Sequence, residues 1–279
     1  MKVNLGGIIP LSTVDWLGRA AMVVFLRGCP LRCPHCHNQK LQTGEKLVKF
    51  HSISSRIVSE VKGLPVASGS CDKSGHFLQI DLVDASERAT SKPFVDAIVL
   101  SGGEPLQQIE ACVRLFRLAR SLKLATGLET SGCLPEGLER LLAKGLVDRV
   151  FLDLKTALLE PDYERATGRP GIAAHVAESL EICFNSGAAF EVRCTIFPGS
   201  PTASQLANIA ETVCRMKTQY PDNRMDYLLL QQGTPREGEA GFEPVSVQDM
   251  DKMAKACEAG CNCRLQVRIR ATPRIAWKN

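Results

Sequence analysis

The stretch "AAMVVFLRGCPLRCPHCHN", residues 20–38, decides how the rest of the chain is read. Residues 20–26 are an apolar run of strand length with no polar alternation, the pattern of a strand covered on both faces. Cys29, Cys33 and Cys36 follow directly, in the spacing C-x3-C-x2-C. Thiolates this close in sequence can converge on one metal centre without a long loop. Gly28 permits a turn or a close backbone approach. Pro30 and Pro34 stiffen the segment, which lowers the entropy lost when a metal orders it. Soft thiolates select zinc or an iron–sulfur cluster. Besides three unligated cysteines, two readings of the loop follow. One is a structural zinc site completed by His35 or His37. The other is a [4Fe–4S] cluster with one iron not bound by cysteine, whose open corner points to chemistry.

Outward from this loop, short apolar runs alternate with longer amphipathic stretches. The runs predict strands at 20–26, 96–101, 124–129, 149–154, 189–196, 226–231 and 264–270. Helices are predicted near 53–62, 107–122, 135–144, 172–186, 203–218 and 246–259. In 107–122, Val113, Phe116, Leu118 and Leu122 gather on one side, with Arg114, Arg117 and Arg120 elsewhere. Strand–helix alternation gives parallel βα units. Their number suits an open or partial barrel, with a doubly wound sheet as the competing architecture. The chain reads as one domain, 1–279, with an insertion at about 64–94 that is long for a connection. Within it, "HFLQIDLV" at 76–83 predicts a strand of its own.

The chain has 279 residues, 44% of them hydrophobic and 23% charged, which is ordinary for a globular protein with a sizeable core. The formal net charge of +4 gives no argument for nucleic acid as a partner. The start, "MKVNLGGIIPLSTVDW", lacks the basic flank and apolar run of a signal peptide, and no run reaches the ~18 apolar residues of a membrane span. The expectation is a cytoplasmic protein without membrane contact. That compartment keeps thiols reduced, so the 12 cysteines are not expected to form disulfides. Cys112, Cys183 and Cys214 read as buried small hydrophobes in helices. Cys257, Cys261 and Cys263, in "ACEAGCNCR", read as unligated thiols or as a second cluster or zinc site with Cys71 or His76. Arg264, Arg268, Arg270 and Arg274 read as facing a protein or, the favoured reading, solvent.

Several other strand ends carry polar or glycine motifs. In "SGGEP", residues 101–105, Gly102 and Gly103 expose backbone, and Glu104 offers an acceptor for an ammonium group. "ETSG" spans 129–132. In "LDLK" the period of two places Asp153 and Lys155 on one face with Phe151, and Leu152 and Leu154 on the other. In "EVRCTIFPG", Glu191, Arg193 and Thr195 share one face, and Val192, Cys194 and Ile196 the other. Because βα folds build their sites at the C-terminal ends of the strands, these motifs are expected to meet at the three-cysteine loop.

With these residues in place, the chain resembles the radical S-adenosylmethionine (SAM) superfamily. The resemblance implies an α/β fold, a partial (β/α)6 barrel. It implies that Cys29, Cys33 and Cys36 hold three irons of a [4Fe–4S] cluster while SAM chelates the fourth through its amino and carboxylate groups. An electron passed through the cluster then cleaves SAM to a 5′-deoxyadenosyl radical, which abstracts hydrogen. Gly102, Gly103 and Glu104 are implied to hold the methionine end of SAM, and His35 and Asn38 to lie near adenine. Glu129 and Arg193 are implied cofactor contacts, and Asp153 and Lys155 catalytic residues. Upstream, "STVDWLGRAAMVVFLRGCPLRCPHCHN", with Asp15, Gly18, Arg19 and then Cys36-His37-Asn38, resembles the glycyl-radical-enzyme activases. Among them it is most similar to anaerobic ribonucleoside-triphosphate reductase activating proteins. This implies hydrogen abstraction from a glycine of a partner enzyme. It also implies a flavodoxin or ferredoxin as electron donor, since the chain has no flavin or nicotinamide motif. The chain departs from the activases at Leu17, where they commonly have proline, and in the 64–94 insertion. Two other functions compete. One is a radical SAM enzyme acting on another protein, peptide or small molecule, such as a 7-carboxy-7-deazaguanine synthase-like enzyme. Against that example, His37 and Asn38 stand where such enzymes usually carry a hydroxyl-bearing residue. The other is a non-catalytic metal-binding module.

Overall fold

The computed structural model describes residues 1–63, 94–235, 241–261 and 263–271. Apart from Phe94, the insertion expected at about 64–94 lies outside the described residues, and so do Cys71, His76 and Arg274. β1 (Lys2–Ser12) pairs antiparallel with β2 (Ala21–Leu26), and β3 (Leu47–Lys49) pairs with the start of β1. From β2 onward the pairing is parallel, through β4 (Ala97–Gly102), β5 (Ala125–Thr130), β6 (Arg149–Asp153), β7 (Ala189–Ile196), β8 (Met225–Gln232) and β9 (Val267–Arg270). The order is β3-β1-β2-β4-β5-β6-β7-β8-β9, a sheet that does not close, with β3 and β9 at its edges.

The principal helices are α2 (Phe50–Lys62), α3 (Ile109–Ser121), α4 (Pro135–Ala143), α6 (Ile172–Asn185), α7 (Ala203–Gln219) and α8 (Val247–Ala259); α1 (Gln39–Gln42) and α5 (Asp162–Thr167) are short. Local chemistry sets their ends. Thr202 and Gln205 form a reciprocal capping box at the start of α7, and the Ser246 hydroxyl accepts from the Asp249 N–H at the start of α8. Among the described residues no helix is long and apolar enough to cross a membrane.

The strand and helix positions follow the sequence expectation within a few residues, because parallel strands buried on both faces read as apolar runs. No strand is expected before residue 20, yet β1 is eleven residues long. Its Gly6, Gly7 and Pro10 carry turn chemistry, and its pairing with β2 shifts register between Leu5 and Gly7 and between Ile9 and Ser12.

The two faces of the sheet differ. Met22, Val24, Leu26, Ile98, Leu100, Leu152 and Val192 pack with the helices into the main core. On the other face Ala21, Val23, Ala97, Val99 and Phe151 form a small inner cluster around Trp16. This one-sided layering is that of an unclosed barrel, the partial (β/α) barrel expected, and not of a sheet with helices on both faces. Trp16 and Phe151 meet edge to face at 5.5 Å. Gly127 makes room for them: a Cβ there would stand 2.9 Å from Phe151 Cε2 and 3.0 Å from Trp16 Cε3.

The cysteine expectation needs correction. Cys214 of α7 and Cys263, just before β9, are joined in a disulfide. Cys257 is buried in the core with its thiol toward the Leu206 carbonyl, and Cys261 points to the Ala210 carbonyl. The packing of α8 against α7 turns these thiols toward different partners. Among the described residues Cys257, Cys261 and Cys263 form no metal-binding group.

Candidate active site

The three-cysteine loop is fastened at several points. Gly28 and Cys29 donate their N–H groups to the Leu41 and Gln42 carbonyls at 2.7 and 3.1 Å, and Arg32 N–H bonds to the Thr167 carbonyl at 2.7 Å. Arg169 Nε reaches the Pro30 carbonyl at 2.8 Å. The end of β4 is laced to the same loop: Gly103 N–H donates to the Leu26 carbonyl at 2.8 Å and Glu104 N–H to the Gly28 carbonyl at 2.7 Å. The approach leaves no space for side chains. A Cβ on Gly103 would lie 2.1 Å from the Gly28 carbonyl oxygen, and Gly102 has φ +127° with its own Cβ position 2.1 Å from the Leu26 carbonyl oxygen.

This arrangement opens on a pocket of about 770 Å³. Cys29, Cys33, His35, Cys36 and Asn38 line it from the loop, Gly102 and Gly103 form its floor, and Glu129, Asp153, Lys155 and Arg193 line a further wall. The sequence-predicted residues are thus brought together, with one exception. Glu104 does not line the pocket. It is fully buried behind the glycines, where its carboxylate accepts from Thr130 Oγ1 at 2.9 Å and from the Ser131 N–H and hydroxyl at 2.9 and 2.6 Å. The carboxylate is therefore a brace between the ends of β4 and β5, and the atoms facing the cavity there are the glycine backbone and Ser131.

Asn38 Nδ2 donates to the Gly102 carbonyl at 3.1 Å, and His35 stacks on Phe197 at 4.3 Å. Arg193 is held by three acceptors: Glu129 at 2.5 Å, Glu191 at 2.7 Å and the Asp15 carbonyl at 2.8 Å. Lys155 and Asp153 form an ion pair. Burial pulls the Lys155 ammonium down, but Asp153 and Cys33 outweigh it and hold the group above its ordinary value. Burial, then Glu104 and the neighbouring thiols, push Cys29 up to about 11 against one lowering contact from the Leu31 backbone. Burial and Cys36 likewise raise Cys33. Asp153 Oδ1 and Thr156 Oγ1 are buried in the same wall without a hydrogen-bond partner among the described residues.

Residues 23–211 match the sequence profile of the radical SAM superfamily. The chain belongs to that superfamily. A protein of Methanocaldococcus jannaschii named as a glycyl-radical enzyme activating enzyme is 29% identical over 76% of this chain and 76% of its own. The pyruvate formate-lyase 2-activating enzyme of Escherichia coli is 29% identical over 63% of this chain and 61% of its own length. The benzylsuccinate synthase activating enzyme of Thauera aromatica is 24% identical over 63% of each chain. In fold, the chain superposes on archaeal TYW1 with a TM-score of 0.55 at 14% identity, covering 89% of this chain and 76% of that one.

The superfamily's cofactors are a [4Fe–4S] cluster and SAM. The residues fit them. Three soft thiols share one pocket wall, a side-chain-free glycine floor faces them, and unpartnered polar atoms of Asp153 and Thr156 await a polar ligand.

Several lining residues escaped the sequence reading, among them Phe197, Thr156, Gln231 and Arg270. Arg270 is a correction, since it was expected in solvent. Arg264 and Arg268 are exposed, as expected, whereas Arg270 is half-buried in the pocket wall. The signal was available in β9: Arg268 and Arg270 share one face, and Val267 and Ile269 pack toward the core on the other.

Proposed function

We propose that this radical SAM enzyme generates a glycyl radical on a partner protein. The target is anaerobic ribonucleoside-triphosphate reductase, and the electron donor is a flavodoxin or ferredoxin. The observation that carries the reading is the pocket itself, in which the three-cysteine loop, the glycine floor and the paired charges of β6 and β7 face one cavity. The names of the relatives support the activating type, and the likeness of residues 12–38 to the reductase activases supports the target. Cys29, Cys33 and Cys36 hold the cluster. Gly102 and Gly103 receive the methionine end of SAM, with Glu104 bracing them from behind. His35 and Asn38 lie at adenine. Arg193, pinned by Glu129 and Glu191, keeps its wall rigid, and Lys155 with Asp153 offers both signs of charge to a zwitterion. When bound, the cofactors supply a 5′-deoxyadenosyl radical that takes a hydrogen atom from the substrate.

The full chain, reconstituted with iron and sulfide without oxygen and given SAM and dithionite, is expected to release 5′-deoxyadenosine. The C29S/C33S/C36S variant is expected to hold no cluster and release none. Adding the reductase is expected to yield a glycyl signal by electron paramagnetic resonance. Release of 5′-deoxyadenosine with no glycyl signal on any glycyl radical enzyme of the same cell removes the activase reading. No release at all removes the radical reading.

A further inference from the structure

Beyond the residues proposed to hold the cofactors, the cavity has further lining. β8 and β9 supply it. Gln231 sits beside Thr195 in the β7–β8 pairing and beside Arg270 in the β8–β9 pairing, and all three line the cavity. Of the lysines and arginines in the lining, Lys155 is paired with Asp153, Arg165 with Asp162, and Arg193 with Glu129 and Glu191. Arg270 has no carboxylate within ion-pair reach among the described residues. Its Nη1 donates to Gln231 Oε1 at 3.4 Å. Its Nε and Nη2 are buried and have no partner among the described residues.

Those two free donors are not arbitrary atoms. Nε–H and one Nη2–H point the same way from one edge of the guanidinium plane, the fork that meets both oxygens of a carboxylate. Gln231 meets the opposite edge. Two buried guanidinium donors left without a partner on a half-buried side chain favour the arrival of a counter-charge. We propose that Arg270, beside Gln231, binds a carboxylate group of the substrate. Arg270 is thus a specificity-determining residue. The placement of the carboxylate on the substrate, and not on SAM, rests on the radical SAM reading, which assigns the cofactors to the three-cysteine loop and the glycines at the end of β4. The carboxylate comes either from an acidic side chain near the reacting residue of a protein or from a small acid.

The test is calorimetric binding to the anaerobic, cluster- and SAM-loaded full chain. One probe set is glycine-containing octapeptides that differ only in Asp against Asn, or Glu against Gln, beside the glycine. The other is succinate and glutarate against their diamides. In at least one set the acid is expected to bind about tenfold or more tightly than its amide, and Arg270→Gln is expected to erase that preference. A preference in the peptide set assigns a protein carboxylate, and one in the second set a small acid. Arg270→Lys, which keeps the charge without the fork, reads the same effect should the glutamine variant not fold: a reduced preference supports the proposal and an unchanged one overturns it. No acid preference in wild type, including no binding of any probe, also overturns it. SAM and decarboxylated SAM form the last comparison. If Arg270→Gln erases the preference for SAM over its decarboxylated form, the carboxylate belongs to the cofactor and the proposal fails. Absence of 5′-deoxyadenosine release is a separate result that sinks the radical reading and leaves the carboxylate preference to be judged by its own data.

Discussion

Glu104 carries a carboxylate into a position with no solvent exposure. Burial pushes its pKa above the ordinary carboxylate value of 4.5, while bonds from Ser131, Thr130 and the Leu106 N–H pull it back. Each of those partners is a donor, so Glu104→Gln puts an amide NH2 where an acceptor is needed. The expected cost is about 1–3 kcal/mol for the donors left unpaired. The pH dependence has a sign. A carboxyl whose folded pKa is raised binds its proton more readily folded than unfolded, so wild-type stability rises as pH falls through the folded pKa and levels off near 4.5. The glutamine variant lacks this response. In urea titrations the gap between wild type and variant is expected to widen as the pH is lowered from neutral toward about 4.5; a gap that shrinks on acidification means burial is not the dominant influence. Single residues also show how far the sequence could be read. The period of two correctly turned Asp153, Lys155, Arg193 and Thr195 toward the cavity. It could not show that the oxygens of Glu104 are taken by β5, since that depends on where the ends of two parallel strands meet.

Among the elements, β9 is the most weakly held strand of the parallel set. It has four residues and, among the described residues, lies at a sheet edge and pairs only with β8. The Cys214–Cys263 bond compensates by fastening the approach to β9 onto α7 across 49 residues of sequence. By the chain-entropy account a closed loop of that length stabilises by about 4 kcal/mol, an upper figure for a bond of this kind. Cys263→Ser is expected to lower the urea midpoint, and a thiol reductant is expected to lower wild type to the same value while leaving the variant unmoved. A wild-type midpoint indifferent to reductant shows that the bond contributes nothing. The elements themselves were legible to different degrees. β7 was placed at 189–196, where it lies, because its alternating pattern has no breaker. β1 was not found because Gly6, Gly7 and Pro10 imitate a loop. Gly6 is needed because a Cβ would meet Leu41 at 2.9 Å. Pro10 falls within the bulged stretch between Ile9 and Ser12, where the ladder is interrupted. The disulfide was not legible either, because it joins distant segments brought together by the packing of α8 on α7.

At the scale of the whole molecule, the unclosed barrel holds a reactive cavity only if part of its interior is filled. Small residues on the inward faces of β2 and β4, and Gly127 on β5, would leave a channel, and Trp16 from the β1–β2 connection fills it against Phe151. Arg193 stacks on the cavity side of Phe151, 4.2 Å from its ring centre, so the plug also supports the wall of the pocket that Arg193 lines. Gly127 and Trp16 should therefore behave as one unit. Gly127→Ala adds a methyl group where two rings already press, at an expected cost of about 1–3 kcal/mol. Trp16→Ala leaves a void, at about 3–5 kcal/mol. In the double variant the added methyl meets no indole, so part of the first penalty disappears. The combined loss in urea unfolding is expected to fall short of the sum by about 1 kcal/mol or more. Strict additivity would mean that Gly127 and Trp16 do not share the space between them, and that the wall bearing Arg193 is set by the strands alone.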